Sequence, residues 1–113
     1  MQIVRIESRL WIEKNGKAFL GAGRVELLEN IDSTGSISKA AHSLGMSYKK
    51  AWQLVNSINK LAEAPVVIRE TGGKNGGGTK LTPEGRKVIA EFKKLEDKAR
   101  RFCEKEAEKL QSF

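Results

Sequence analysis

Apolar and polar positions along this chain fall into short strand-like and helical periods, each broken by glycine or proline. Over residues 3–12, Val4, Ile6, Leu10, Trp11 and Ile12 supply apolar side chains, most of them good strand formers, and predict a strand. Asn15-Gly16 then marks a two-residue type I′ turn, which needs positive φ at both positions. That hairpin would pair Lys14 with Lys17, Glu13 with Ala18, Ile12 with Phe19 and Trp11 with Leu20, and Gly21-Ala22-Gly23 would release the chain from the sheet. From Arg24 the period changes. Val25, Leu28 and Ile31 share one helical face with Leu27 beside it, which predicts a helix over residues 24–34 that Gly35 stops.

The next stretch organises the rest. A short helix over about residues 38–44, capped by Ser36 or Ser38, carries Ala40 and Ala41, small enough to let another helix pack close. Gly45 ends it where a left-handed backbone is needed, Met46 fills the turn, and Ser47 caps a second helix over residues 48–62. Ala51, Leu54, Val55, Ile58 and Leu61 give that helix one apolar face, while Tyr48, Lys49, Lys50, Gln53, Asn56, Ser57 and Lys60 lie mostly elsewhere. Pro65 forbids more helix. A β-branched strand over residues 66–71, a glycine loop over 72–78 and a returning strand over 79–81 have the form of a wing. Thr82-Pro83-Glu84 opens a final helix reaching towards Leu110, roughly 40 Å at about 1.5 Å per residue. Val88, Phe92, Leu95, Ala99 and Phe102 form its main stripe, broadened by Ile89, Cys103, Ala107 and Leu110.

These elements imply an α+β, mainly α, winged helix-turn-helix in a single domain over residues 1–113. An N-terminal β-hairpin occupies residues 1–22, the winged-helix core 24–82 and the long C-terminal helix 83–113. The long helix should overhang a body of this size, so its stripe at Val88, Phe92, Leu95, Ala99 and Phe102 is expected to meet a second copy and make a homodimer. The other possibility is that it folds back over the N-terminal hairpin.

Charge changes the picture. The formal charge is +7, but residues 1–35 are balanced. The excess sits in residues 36–80, where Lys39, Lys49, Lys50, Lys60, Arg69, Lys74 and Lys80 face only Glu63 and Glu70. Such a patch is the footprint of a polyanion, and double-stranded DNA is the expected partner. Ser47, Tyr48, Lys49, Lys50 and Gln53 are the residues expected at the DNA. Ser47 would cap the helix and bond a phosphate, and Tyr48 would meet sugar–phosphate or a thymine methyl. Lys49 and Lys50 would reach guanine edges or phosphates, and Gln53 suits adenine. Lys74 and Lys80 should add affinity that does not depend on sequence. Trp52 either packs against the first helix or the wing or donates its indole N–H to the backbone of the DNA, and His42 is an exposed helix residue or a phosphate contact. A plain helical hairpin with a solvated cationic face is the blander alternative.

Other chemistries fit less well. The glycine loop lacks the Gly-Lys-Ser/Thr that closes a P-loop and opens a helix, and it leads into a strand. Cys103 is the only cysteine, so an internal disulfide and a multi-thiolate metal site are excluded, and no cofactor or metal is expected. No nucleophile–base or carboxylate pair points to an enzyme. No apolar run approaches the roughly 20 residues of a membrane span and no signal-peptide pattern opens the chain, so a cytoplasmic protein is expected. A protein-interaction adaptor with an incidental basic patch is the main rival function.

Gly35-Ser-Ile-Ser-Lys-Ala-Ala together with Gly45-Met-Ser-Tyr-Lys-Lys-Ala-Trp resembles the N-terminal DNA-binding domain of ModE-type molybdate-responsive regulators. The glycine wing from Thr71, Leu81-Thr82 and Gly85 fit the same family, and residues 35–61 with Leu81-Thr-Pro-Glu-Gly resemble the LysR-type winged helix more distantly. The resemblance covers roughly residues 24–92 and implies a dimeric, sequence-specific transcription factor reading a pseudo-palindromic operator. It also implies molybdenum transport or molybdoenzyme genes as the regulatory subject. Those regulators carry oxyanion-binding domains with no counterpart in this sequence, so molybdate or tungstate binding is not carried over.

Overall fold

The computed structural model describes residues 3–70 and 78–113. Element order is β1 (Trp11–Lys14), β2 (Lys17–Gly21), α1 (Ala22–Thr34), α2 (Ile37–Ser43), α3 (Tyr48–Leu61), β3 (Val67–Glu70), β4 (Gly78–Leu81) and α4 (Pro83–Lys109). Two antiparallel hairpins, β1–β2 and β3–β4, flank helices that share one apolar core. The fold is α+β, mainly α: a winged helix-turn-helix with an N-terminal hairpin and a long last helix.

Asn15 and Gly16 both take positive φ, 52° and 73°, as a type I′ turn requires. Beyond the turn the register departs from expectation. Glu13 pairs with Ala18, but Ile12 pairs with Leu20 and Trp11 with Gly21, with a bulge between Ile12 and Glu13. The extra residue has a packing reason: Phe19 and Leu20 are adjacent and both buried, which simple alternation would forbid. The expected strand over residues 3–12 is also cut short. Residues 3–10 carry no regular structure, because β2 is five residues long and offers no further partner before α1 begins. Nor do Gly21-Ala22-Gly23 form a release loop: Gly21 ends β2, while Ala22 and Gly23 are the first turn of α1.

Neighbouring Leu27 and Leu28 are both fully buried, so α1 is covered on more than one side and lies at the centre of the core with Leu20, Ile31, Ile58, Val66 and Phe92. Gly35 closes α1 at φ 72° with its N–H on the Ile31 carbonyl. Its own carbonyl accepts from Thr79 N–H at 2.9 Å, which ties β4 to the α1–α2 corner. The start of α4 is held as tightly. Thr82 Oγ1 accepts from Gly85 N–H as the N-cap and donates to the Pro65 carbonyl at 2.6 Å. A Cβ on Gly85 would stand 2.4 Å from the Val66 carbonyl oxygen, so only glycine allows this approach of helix to strand.

The 27-residue α4 sets the long dimension of a molecule measuring 63 × 29 × 21 Å. Its first half belongs to the core through Ile89 and Phe92. Its second half faces residues 4–8 and Leu10, which together with Ala99, Cys103 and Ala107 line a groove. There the Gln111 amide donates to the Val4 carbonyl at 2.8 Å and accepts from Val4 N–H at 3.1 Å. Cys103 is buried, as its neighbours on the helix suggest.

Candidate nucleic-acid interface

The helix pair is assembled from small residues and two serine caps. Ala40, Ala41 and Ala51 are essentially inaccessible, so α2 and α3 approach closely. Ser36 Oγ accepts from Lys39 N–H and Ser47 Oγ from Lys50 N–H, both at 3.1 Å. Gly45 takes φ 66° and Met46 N–H reaches the Ala41 carbonyl, which sets the turn between the helices. With Ala51, Val55 and Ile58 turned inward, the first turns of α3 present Tyr48, Lys49, Lys50 and Gln53 to solvent. Tyr48 is 48 % exposed and Trp52 45 % exposed, high values for side chains with so much apolar surface.

The wing strands stand beside this helix and are fixed to it by Asn59. Its Oδ1 accepts from Val66 N–H at 2.7 Å and Val67 N–H at 3.2 Å, and its Nδ2 donates to the Val67 carbonyl at 2.9 Å. One amide thus satisfies the backbone where the chain leaves α3 and enters β3. Trp52 lines a small cavity between the two elements together with Ile37, Val55, Val67, Ile68 and Thr79. Further out, Arg69 Nη2 donates to Tyr48 Oη at 3.4 Å, the one direct polar link between β3 and the first turn of α3 among the described residues.

Electrostatically the two exposed helices differ. Among the described residues, Lys39, Lys49, Lys50, Lys60 and Arg69 have no carboxylate within the 4.0 Å of an ion pair. Lys80 does: its Nζ lies 2.5 Å from Glu70. On α4, hydrogen bonding to Glu104 and then the charge of Asp97 raise the Arg100 pKa further.

The structure therefore brings Ser47, Tyr48, Lys49, Lys50 and Gln53 onto one exposed helix start. It places Lys80 nearby on β4 but engaged with Glu70. Lys74 and the glycine loop lie outside the described residues. The stripe on α4 divides. Phe92 is fully buried in the protomer's own core and offers no surface to a second chain, while Val88 is half-buried against that core. Leu95 is 41 % and Phe102 65 % exposed, with Ala99 half-buried between them. Sequence reasoning did not single out Arg69, which reaches the start of α3, or Asn59, which anchors β3. Alternation along β3 puts Arg69 on the same face as buried Val67, which could have flagged it; nothing local marks Asn59.

A tri-helical core with a capped second helix, an adjoining two-stranded wing and a cationic face unpaired among the described residues defines a winged helix-turn-helix of the nucleic-acid-binding class. Residues 23–86 match the family model described as bacterial regulatory helix-turn-helix protein, lysR family, and the chain belongs to that family. Its winged helix is of the ModE type. It is 36 % identical over 110 residues to the molybdenum transport protein ModE of Azotobacter vinelandii, covering 97 % of this chain and 41 % of that protein. It is 52 % identical over 85 residues to the molybdenum-pterin-binding protein MopB of Rhodobacter capsulatus, covering 75 % and 31 %. With the DNA-binding transcriptional dual regulator ModE of Escherichia coli (strain K12) it shares 42 % identity over 86 residues, covering 76 % and 33 %. The chain thus spans between about a third and two fifths of the length of these relatives. A solved MarR family transcription regulator shares the fold at TM-score 0.55 and 18 % identity, over 71 % of this chain and 54 % of that one.

Proposed function

We propose that the protein is a dimeric, sequence-specific DNA-binding transcriptional regulator that reads a pseudo-palindromic operator. The observation that carries this reading is the start of α3, where Tyr48, Lys49, Lys50 and Gln53 are exposed together and both lysines are free of carboxylates among the described residues. Set into a major groove, that turn directs Gln53 and the lysines at base edges and leaves Tyr48 for the sugar–phosphate flank. Ser47 Oγ is occupied in capping, with a lone pair left for a water or donor at the backbone. Lys74 and Lys80 contribute sequence-independent affinity, that of Lys80 reduced by Glu70. Dimerisation uses the part of the α4 stripe outside the core, Leu95, half-buried Ala99 and Phe102. The names of the relatives make molybdenum-transport promoters the first operators to try, and a regulator bound to DNA would act in the cytoplasm.

The test is selection from random DNA duplexes at two salt concentrations, with the mass of the complex measured by light scattering. A recovered palindrome bound by two chains, with affinity falling steeply as salt rises, supports the proposal. Weak binding without a motif, together with one stoichiometric protein partner, would replace it by an interaction adaptor.

A further inference from the structure

The two cations on the described wing strands are not equivalent. In the β3–β4 ladder Arg69 stands opposite Thr79, and Ile68 opposite Lys80. Val67, Thr79 and Leu81 are buried, so the face they share with Arg69 is the one turned to the helices. Arg69 is the last residue on that face within β3, exposed, and it emerges over the first turn of α3. There it meets Tyr48 Oη at 3.4 Å. Ile68, Glu70 and Lys80 occupy the outer face, where Glu70 holds the Lys80 ammonium at 2.5 Å.

We infer that Arg69, positioned by Tyr48 in the notch between α3 and β3, is the main phosphate contact of the wing strands, and that Glu70 weakens Lys80 in that role. The inference rests on the DNA-binding reading of α3 and adds a residue outside the helix to the interface. One bond to a neutral phenol engages a single N–H of the guanidinium and leaves most of its fork for a phosphate, which a planar donor array binds in bidentate fashion. The neutral partner orients the side chain without neutralising it. Lys80 is in the opposite state, since a phosphate would have to displace a carboxylate already beside it.

Binding to the selected duplex across a salt series, in wild type and variants of unchanged melting temperature, tests this. Arg69→Ala should weaken binding roughly tenfold and make the salt slope shallower by about 0.9 per protomer, because one phosphate is no longer neutralised. Arg69→Lys should keep the slope, because the cation is retained. Glu70→Gln should tighten binding and steepen the slope by a similar about 0.9 as Lys80 is released. In a Tyr48→Phe background the Arg69→Ala loss should shrink, which a merely structural Arg69 would not show. If Lys49→Ala/Lys50→Ala weakens binding but Arg69→Ala leaves affinity and slope unchanged, this inference falls and the reading of α3 stands. If the wild type shows no salt-sensitive DNA binding, both fall.

Discussion

Helices α3 and α4 are built on one plan and present opposite surfaces. Each opens on a hydroxyl cap, Ser47 or Thr82, and each packs an apolar stripe into the common core. On α4 the solvent face is stitched by ion pairs: Lys94 with Glu91, Arg100 with Asp97 and Glu104, Arg101 with Asp97, Lys109 with Glu106. On α3 no lysine is so paired among the described residues. Charge that is paired along a helix supports that helix by a few tenths of a kcal/mol per pair and offers little to a ligand. Charge left unpaired adds little to the fold and remains available to a polyanion. What α4 offers instead is apolar surface at Leu95 and Phe102. The contrast is the ground for proposing α3 for nucleic acid and the exposed part of α4 for another protein surface.

The comparison breaks most readily at α3. Lys49→Ala/Lys50→Ala should lower affinity for the operator by roughly two orders of magnitude, since each protomer gives up two cations, with the melting temperature nearly unchanged. Fluorescence anisotropy against a labelled duplex measures the first and calorimetry the second. Affinity within a factor of about two of wild type would end the assignment of α3 as the reading helix.

Changing Phe102 to Glu puts a charge on the exposed stripe of α4. The expected result is a dimer dissociation constant raised by roughly 30-fold or more, about 2 kcal/mol, with folding intact, read by sedimentation equilibrium. A dimer that survives unaltered would move the interface away from Leu95, Ala99 and Phe102.

The junction between α3 and the wing depends on Asn59, so Asn59→Ala should destabilise the fold by about 1–3 kcal/mol in denaturant titration, because the buried Val66 and Val67 N–H groups lose their acceptor. A loss no larger than that of an exposed side chain would mean that the wing does not need this amide.

The smallest effect belongs to Glu29, which links α1 to α4 through Lys93 at 2.5 Å. That hydrogen bond first, and then the charge of Glu29, raise the Lys93 pKa above its ordinary 10.5. A raised folded pKa gives stabilisation that is complete below pH 10.5 and lost as pH climbs through the folded value. Glu29→Gln should therefore lower the denaturant midpoint slightly at pH 7 and not at all above the folded pKa. A drop at pH 7 as large as that of Asn59→Ala would contradict the low worth of exposed pairs.

Much of this molecule was determined locally. Asn15-Gly16 forces the first turn, Gly35 and Gly45 supply the left-handed stops, Ser47 and Thr82 cap their helices, and the periods of α1, α3 and α4 show which faces are apolar. Those signals depend on neighbours within a few residues, which is why the composition of the recognition helix and its exposed residues were legible in advance. Tertiary structure decided the rest, because it set which apolar groups find partners and which charges meet. Burial of both Phe19 and Leu20 imposed the bulge in the first hairpin, and the short β2 left residues 3–10 without a strand to pair with. The core claimed Phe92 and left Phe102 exposed, though one periodicity links them. The ladder register joined Lys80 to Glu70 and aimed Arg69 at Tyr48, 21 residues away in sequence. A charge reads the same in any sequence; its availability is a matter of which oppositely charged group lies within a few ångströms, and only the packed chain settles that.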